Sequence, residues 1–532
     1  MAAPGDHVPT VTELLLARAD DANPGLVFED RQWSWADHVR ECADRAALLR
    51  SLRRPGPFHV GVLLDNVPEF SFLLGGAALA GAVLVGLNTS RRGEALVRDI
   101  RLADCQVVLT DSRYVELLQG LDTGARVLDM DSAAWHVTAY RHQYSPLEAA
   151  PATADDLLML IFTSGTSGEP KAVRCTHGKI AGPGRLLAQR YELGAEDTAY
   201  VAMPMFHSNA IMAGWAVGLA AGARIALRRR FSASGFLTDV RDYDVTYANY
   251  VGKPLSYILT TQEKPDDGDN PLRVMFGNEA NPCDVAAFAT RFDCTVVDAY
   301  GSTEGGIVIP RPAGMPSDAL GQLDEHLAVL DPDTGAPCGP DEVGELVNTS
   351  GAGMFVGYYN DEKSDEDRLR DGMFWSGDLV YRDQQDYVYY VGRTSEWLRV
   401  DGENLGAAPI ERILLRHPLV TEAAVYAVPD PVVGDQVMAA LVVRGDLDWD
   451  EFAAFLSAQG DLGPKQVPRF VRLTARLPRT ATYKVLKRTL SAQKWRTPDT
   501  VWWRSGRELE FEPLTASSDP IRLDWGAGSV RP

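Results

Sequence analysis

Short runs of β-branched and other apolar residues alternate with Ala- and Leu-rich stretches over roughly the first 390 residues of the chain. The clearest runs are His59–Leu64, Cys105–Thr110, Asp156–Ser164, Thr198–Pro204, Arg224–Arg229 and Cys294–Tyr300. Strands that are separated by helices favour parallel sheets covered on both faces. The pattern therefore predicts an α/β fold whose large N-terminal domain contains layered, mostly parallel sheets with helices.

The pattern changes after Gly392 and Arg393. Residues 411–443 are typical of a helix followed by two strands, and residues 451–459 of another helix, which indicates a small α+β unit. We therefore expect an N-terminal domain (1–393), a small C-terminal domain (394–500) and a C-terminal extension without an assigned role (501–532).

One segment, Phe70–Asn88, resembles a membrane span because it contains nineteen residues without a charge. It also contains four glycines and ends in AVLVGLN, a run typical of a strand. A buried helix that turns at Gly81 into a buried strand explains this composition better.

The charge of the chain limits its partners. It carries 52 Lys and Arg against 73 Asp and Glu, a net charge of −21, which repels nucleic acid and anionic membranes in general. A phosphate-rich ligand must therefore be bound by a local feature.

The six cysteines are scattered without a C-x-x-C pair, and the first residues lack the pattern of a secretory signal, so we expect a cytoplasmic protein. Peripheral membrane association and a homodimer are left open.

A basic segment stands out against this acidic background. Residues 462–498 contain no acid and ten bases. The segment is either a solvated basic face or an anion site for a polyphosphate ligand.

The segment from Thr163 to Lys171, TSGTSGEPK, follows directly after the apolar run LLMLIF. Its glycines let backbone N–H groups approach an anion, its hydroxyls add donors, and Lys171 supplies a positive charge. The segment is not a G-x-x-x-x-G-K-[ST] loop. It predicts a phosphate-binding loop that contains Thr163, Ser164, Gly165, Thr166, Ser167, Gly168 and Lys171.

With this loop the sequence resembles the adenylate-forming superfamily of acyl-CoA synthetases, luciferases and peptide-synthetase adenylation domains. Further motifs of the superfamily follow in order, namely MPMFH (203–207), YGSTEG (300–305), SGDL (376–379), Gly392-Arg393 and PRTATYK (478–484). The stretches YVGKPLSYILTTQ (250–262) and RVMFGNEANPCDVAAFATRF (273–292) resemble the branch of very-long-chain acyl-CoA synthetases and fatty-acid transport proteins. Actinobacterial fatty-acid and sterol-side-chain CoA ligases are the most similar group within that branch.

The resemblance implies an ATP-dependent acyl-CoA ligase, an acid–thiol ligase. A carboxylate attacks the α-phosphate of ATP and releases pyrophosphate, and coenzyme A then converts the acyl-adenylate into a thioester and AMP. The expected substrate is a long-chain, very-long-chain or steroid-side-chain carboxylic acid. Charge that builds up at phosphorus needs cations and hydrogen-bond donors already in place.

The resemblance also assigns roles in nucleotide binding. Glu304 matches the Mg²⁺ ligand, Thr303 the donor to the α-phosphate, and Tyr300 the ring that stacks on adenine. The adenine turn corresponds to Gly277, Asn278 and Glu279, and the neighbouring nucleotide-binding positions are Asp298, Ala299, Gly301 and Ser302. Asp378 matches the acid that accepts the ribose hydroxyls, and Arg393 contacts the sugar or a phosphate; an ordinary salt bridge between these two remains the alternative.

Lys484 matches the lysine that contacts both the carboxylate and the α-phosphate during adenylation. The small C-terminal domain of the superfamily is mobile and rotates about a hinge, here Ser395 or Glu396, although Asp or Lys is usual at this point. Rotation brings Gly402 to the pantetheine passage of CoA. The basic segment 462–498 is then expected to help bind the CoA phosphates.

His207 matches an aromatic residue that lines or gates the acyl site, and a buried structural histidine is the alternative. The apolar run Ala210–Gly222 would line the acyl channel, although a plain core helix fits it equally well.

Two other functions compete with the CoA ligase. They are adenylation with transfer to a separate carrier protein, and fatty-acid transport or binding without turnover, which the intact Lys171, Glu304 and Lys484 disfavour.

Lys484→Ala should abolish formation of the acyl-adenylate and still allow thioester formation from supplied acyl-adenylate, because the lysine acts only where carboxylate and α-phosphate meet. The two half-reactions can be measured separately by pyrophosphate release and by thioester formation. Equal loss in both would refute the role assigned to Lys484.

Overall fold

The computed structural model of the protein describes residues 7–164, 170–312, 314–394, 398–400, 403–430, 434–480, 485–504, 506 and 508–515. The chain divides into two compact units, Met1–Val308 with Asn348–Phe374, and Ile309–Val347 with Trp375–Pro532. The three segments 1–393, 394–500 and 501–532 stay a prediction.

In chain order, the elements up to residue 298 are α1 (Val11–Leu16), β1 (Pro24–Phe28), β2 (Arg31–Ser34), α2 (Trp35–Leu52), β3 (His59–Leu63), α3 (Pro68–Ala80), β4 (Val83–Gly86), α4 (Gly93–Leu102), β5 (Cys105–Thr110), β6 (Arg126–Asp129), α5 (Ala133–Arg141), β7 (Leu157–Ser164), β8 (Pro170–Thr176), α6 (His177–Arg190), β9 (Thr198–Val201), α7 (Ser208–Ala210), α8 (Ala216–Ala221), β10 (Arg224–Leu227), α9 (Phe236–Asp242), β11 (Tyr247–Val251), α10 (Pro254–Leu259), β12 (Val274–Asn278), α11 (Pro282–Phe292) and β13 (Thr295–Asp298). A 3₁₀ turn covers Val115–Leu118, and a π-helical turn, Ile211–Trp215, joins α7 to α8.

The elements that follow are β14 (Gly321–Gln322), β15 (Leu327–Leu330), β16 (Gly344–Asn348), α12 (Glu362–Arg368), β17 (Leu369–Arg370), β18 (Met373–Arg382), β19 (Tyr387–Arg393), β20 (Leu398–Val400), β21 (Glu403–Leu405), α13 (Ala407–Leu414), β22 (Val420–Asp430), β23 (Gly434–Val443), α14 (Trp449–Ser457), β24 (Phe470–Leu473), α15 (Lys487–Gln493), β25 (Thr500–Trp503) and β26 (Glu512–Pro513).

Two sheets form the centre of the first unit. One has the strand order β6-β5-β3-β4-β7-β8, and the other has the order β13-β12-β11-β9-β10-β1-β2. Neighbouring strands in both sheets are parallel, except for the antiparallel edge pairs β7–β8 and β1–β2. The six predicted runs form β3, β5, β7, β9, β10 and β13, some with shorter ends. The expected α/β fold with mostly parallel sheets is confirmed.

The uncharged segment Phe70–Asn88 folds as predicted, into α3 and then β4. Gly81 ends the helix in a left-handed conformation with φ 66°, which glycine adopts without strain. Gly75 and Gly76 allow α3 to lie close to α2, because a Cβ atom on Gly75 would approach the Cys42 sulfur to 2.4 Å. Among the helices in the described ranges, none combines the length and the apolar character needed to cross a membrane.

The second unit contains a sheet with the order β14-β19-β18-β16-β15, and a sheet with the order β21-β20-β23-β24-β25-β26 in which β22 pairs with β23. The predicted helix, two strands and helix over 411–459 are α13, β22, β23 and α14. One core cluster of the second sheet joins apolar residues of α13 and α14, and another joins Leu490 of α15 to Phe470, Tyr426 and Trp503. The small α+β unit is therefore confirmed.

The start of the predicted C-terminal extension belongs to this sheet. Strand β25 pairs antiparallel with β24, so that Trp503 lies opposite Phe470 and Trp502 opposite Val471. Trp503 is only 2% exposed, and the ring of Trp502 stacks on that of Trp449 at 4.4 Å between centroids. Residues 500–503 therefore pack on the second unit.

Several bases of the segment 462–498 form ion pairs inside the second unit. Arg472 pairs with Asp499 at 2.6 Å, Arg479 with Glu422 at 2.6 Å, and Lys487 with Glu411 at 2.9 Å. These three contacts use acids from outside the segment to hold its fold. The anion site in this segment stays a prediction.

Trp503→Ala should lower the free energy of unfolding of the second unit by about 3–5 kcal/mol, because it removes a large side chain from a closed core. Trp502→Ala is the matched control and should cost clearly less, since Trp502 is partly exposed. Urea unfolding followed by circular dichroism measures both losses. Equal losses would contradict a core role for Trp503.

Candidate active site

The predicted phosphate loop joins the antiparallel strands β7 and β8. At the loop end of this hairpin Thr163 pairs with Lys171, and Ser164 pairs with Pro170. Lys171 is 8% exposed, and its ammonium lies 5.1 Å from the centroid of the Tyr358 ring, in the range of a cation–π contact. The hairpin thus fixes the predicted lysine at the base of the loop. The loop residues Gly165, Thr166, Ser167 and Gly168 lie outside the described residues.

Tyr358 is carried by a short extended segment that pairs with β8. The Arg174 N–H donates to the Gly357 carbonyl at 3.1 Å, and the Tyr359 N–H donates to the Ala172 carbonyl at 2.7 Å. Successive side chains of an extended segment point to opposite sides. Tyr358 therefore faces Lys171, whereas the Tyr359 hydroxyl donates to Asp104 at 2.9 Å.

Glu304 lies on the far side of Tyr358. The phenol of Tyr358 donates to Oε1 of Glu304 at 3.0 Å, and Nε of Arg368 donates to the phenol oxygen at 3.3 Å. Burial, and then the charge of Glu304, raise the pKa of Tyr358, so the phenol keeps its proton. One buried tyrosine thus joins the lysine of the phosphate loop to the glutamate of the YGSTEG motif.

Lys179, in the first turn of α6, holds the backbone at Glu304. It is 3% exposed, and its ammonium donates to the Glu304 carbonyl at 2.7 Å. Burial lowers the pKa of Lys179. A buried ammonium is costly, and its bonds to carbonyl oxygens offset part of that cost.

Thr303 contacts the segment that begins at His207. The hydroxyl groups of Thr303 and Ser208 are 2.7 Å apart. His207 precedes α7, its backbone N–H donates to the Pro204 carbonyl at 3.0 Å, and its ring lies 4.5 Å from that of Phe206. The two motifs that contain His207 and Thr303 therefore meet in the first unit. The apolar run 210–222 forms a largely buried helical stretch, and its role in lining the acyl channel stays a prediction.

The predicted adenine turn lies at the carboxyl ends of the parallel neighbours β12 and β13. The Ala299 N–H donates to the Gly277 carbonyl at 2.7 Å, and the Asn278 amide donates to the Gly301 carbonyl at 3.4 Å. Only glycine fits at 277, because a Cβ atom there would lie 2.3 Å from the Tyr250 carbonyl oxygen. Glu279 adopts a left-handed φ of 67°.

The other candidates of this edge support the turn. Asp298 accepts bonds from the Tyr250 hydroxyl at 2.9 Å and from the Ala280 N–H at 3.1 Å. Ser302 closes the next turn, since its carbonyl accepts from the Gly305 N–H at 3.1 Å. Tyr300 lies between these turns and is partly exposed.

In the second unit, Asp378 and Arg393 lie opposite each other on β18 and β19. Asp378 is 5% exposed, and its Oδ1 is 3.2 Å from Nε of Arg393. The arginine holds the buried carboxylate in a fixed orientation. Four predicted residues of this unit, Ser395, Glu396, Gly402 and Lys484, lie outside the described residues.

The donor set around Glu304 fits a nucleotide-bound Mg²⁺ ion. In the described residues, no group of three or more His, Cys, Asp or Glu side chains forms a metal cage. Mg²⁺ usually binds one or two carboxylates together with substrate phosphates instead of a cage supplied by the protein. A single carboxylate next to a phosphate loop is therefore a suitable protein contribution.

Comparison with known proteins identifies the family. Residues 17–359 match the AMP-binding enzyme family, and residues 409–484 match the AMP-binding enzyme C-terminal domain. The chain belongs to the AMP-binding enzyme family. The first match covers the phosphate loop, the adenine turn and Glu304, and the second ends at Lys484.

Curated relatives of this AMP-binding enzyme cover nearly its whole length. A medium/long-chain-fatty-acid–CoA ligase, FadD17, of Mycobacterium marinum is 53% identical over 93% of this chain and 98% of the relative. A steroid-22-oyl-CoA synthetase of Rhodococcus jostii is 46% identical over 96% of both chains. Among solved structures, ATP-bound MatB from Rhodopseudomonas palustris has a TM-score of 0.81 at 22% identity, over 91% of this chain and 99% of that one.

Sequence reasoning did not identify Tyr358, Lys179 or Ser208. Tyr358 follows a glycine in the run GYYN, and this run is the sequence feature that could have pointed to it. Its partners Lys171 and Glu304 lie far away along the chain, so spacing alone does not connect them. Lys179 has no sequence signal, because a lysine in a first helical turn is normally solvated.

Lys179→Met should raise the KM for ATP about tenfold, because one hydrogen bond that anchors the Glu304 backbone is lost while the shape of the side chain is kept. Lys363→Met, on the exposed side of α12, is the matched control and should leave this KM unchanged. Steady-state kinetics with varied ATP measure both variants. An unchanged KM in Lys179→Met would show that the anchor is irrelevant to nucleotide binding.

Proposed function

We propose that the protein is an ATP-dependent acyl-CoA ligase for long, hydrophobic carboxylic acids. The observation that carries the proposal is the contact of Tyr358 with both Lys171 and Glu304, which places a phosphate-loop lysine and a carboxylate on one buried side chain. The relatives named CoA ligase and CoA synthetase support the proposal over most of the chain.

In the first half-reaction a carboxylate oxygen of the acid attacks the α-phosphorus of ATP, and the bond from phosphorus to pyrophosphate breaks. The product is an acyl-adenylate, whose AMP is a better leaving group than oxide. In the second half-reaction the CoA sulfur attacks the acyl carbon and the bond to AMP breaks. The thiol proton leaves to solvent, and the products are acyl-CoA and AMP.

Residues of the first unit bind and orient the triphosphate. Lys171 offsets phosphate charge at the base of the loop, and Thr303 donates from a hydroxyl that Ser208 holds at 2.7 Å. Mg²⁺, when bound with Glu304 as its protein ligand, supplies positive charge that polarises phosphate oxygens. The turn Gly277–Glu279 and Tyr300 bind the adenine.

In the second unit, Asp378 accepts the ribose hydroxyls and Arg393 orients it. Lys484 neutralises the repulsion between the incoming carboxylate and the α-phosphate. A hinge at Ser395 or Glu396 then exchanges Lys484 for the passage at Gly402, a gating step between the two half-reactions. The scattered cysteines favour a reducing compartment, and the proposed location is the cytoplasm.

The acyl group is proposed to be a long-chain, very-long-chain or steroid-side-chain acid. One relative is named for medium- and long-chain fatty acids and another for a steroid-22-oyl group. Both are hydrophobic acids. The buried apolar run 210–222 follows Ser208, whose hydroxyl contacts Thr303, and is proposed to line the acyl channel.

Purified protein should form AMP and pyrophosphate from ATP only when a suitable acid is present, and thioester only when CoA is also present. The test uses saturated acids of increasing length and a steroid with a carboxylated side chain, each with and without CoA. Adenylate that accumulates while CoA is ignored would favour loading of a carrier protein. Nucleotide that never reaches AMP with any acid would contradict the proposal.

A further inference from the structure

The hydrogen bonds of Tyr358 have a fixed direction. Arg368 carries only donors, so the phenol oxygen must accept from its Nε, at 3.3 Å. The single phenol proton is then directed to Oε1 of Glu304, 3.0 Å away. Arg368 therefore sets the direction in which Tyr358 donates.

The ring that carries this phenol is held from several sides. Tyr358 is 1% exposed and lies opposite Val173 on the edge of β8. Its backbone N–H donates to Asp365 at 2.6 Å, and its ring packs edge to face on Phe355 at 5.2 Å between centroids. A tyrosine fixed in this way cannot move without disturbing the strand that also carries Lys171.

We propose that Tyr358 is a positioning residue for the first half-reaction. Its phenol orients the carboxylate of Glu304 toward the metal–nucleotide, and its ring holds the ammonium of Lys171 at the base of the phosphate loop. The inference rests on the proposed function, since it assigns Glu304 and Lys171 to metal and phosphate. One side chain thereby sets the relative position of the two charges that ATP must meet together.

Tyr358→Phe removes the phenol and keeps the ring beneath Lys171. The Mg²⁺ concentration that half-saturates binding of α,β-methylene-ATP, measured by calorimetry, should rise about tenfold, the effect of a lost charge-assisted bond. Thioester formation from supplied acyl-adenylate should stay at the wild-type rate, since that step does not use the triphosphate. Tyr359→Phe is the matched control, because its phenol bonds Asp104 on the opposite side, and it should keep the wild-type Mg²⁺ dependence.

Tyr358→Leu removes the ring as well. In the absence of metal it should bind α,β-methylene-ATP more weakly than Tyr358→Phe does, because Lys171 loses its ring contact. Arg368→Met removes the donor that fixes the direction of the phenol proton. It should raise the half-saturating Mg²⁺ concentration as Tyr358→Phe does, but by a smaller factor. Agreement of these two variants with Tyr358→Phe supports the positioning role.

An unchanged Mg²⁺ dependence in Tyr358→Phe would overturn the inference. A smaller fraction of binding-competent protein with unchanged Mg²⁺ dependence would also overturn it, since that is the result of a merely structural role. Failure of the proposed function is a separate result, because it would be seen in the wild-type protein as absence of AMP with every acid.

Discussion

Parallel strands that end at one edge of a sheet determine where the candidate site of the first unit lies. Strands β9, β11, β12 and β13 are neighbours in the sheet order, and the loop after each of them leaves at the same edge. The amide of Asn209, after β9, donates to the Tyr250 carbonyl of β11 at 2.9 Å, and that carbonyl lies against Gly277 of β12. Direct contacts therefore link these loops, so the positions of Thr303, the adenine turn and Glu304 depend on one another.

The fold was largely predictable from local patterns. Runs of apolar β-branched residues form strands, and an apolar helix can end at a glycine, for local physical reasons. The strands and the turn at Gly81 could therefore be predicted from the sequence. The strand β25 did not, since Trp502 and Trp503 find their partners Trp449 and Phe470 only through the second sheet. Long-range pairing of this kind leaves no periodic signal in a short segment.

The candidate site divides in the same way. Motifs with fixed spacing, such as YGSTEG with Glu304, predicted which residues belong to the site. The residues that hold them in place, Tyr358 and Lys179, became visible only when the fold brought distant segments together. Sequence motifs identify residues that contact a ligand more readily than residues that contact only the protein, because the partners of the latter lie far away along the chain.

The acidic composition of the chain makes local positive charge important for binding phosphates. A chain with a net charge of −21 must bind a triphosphate and CoA against its average field. In the proposed function a buried positive group meets this need locally, because Lys171 is hardly exposed and its charge is therefore little screened by salt. The ring of Tyr358 next to this ammonium would hold the charge in place, so that little reorganisation would accompany the proposed reaction.

The central claim is that a carboxylate of the acid attacks the α-phosphorus of ATP. It is tested most directly by supplying a fatty acid labelled with ¹⁸O in both carboxylate oxygens, together with ATP, Mg²⁺ and CoA, and analysing the nucleotide product by mass spectrometry. The account predicts AMP that carries one ¹⁸O atom, because the bridging oxygen stays with phosphorus when CoA takes the acyl group. Unlabelled AMP, or ADP as the product, would contradict it.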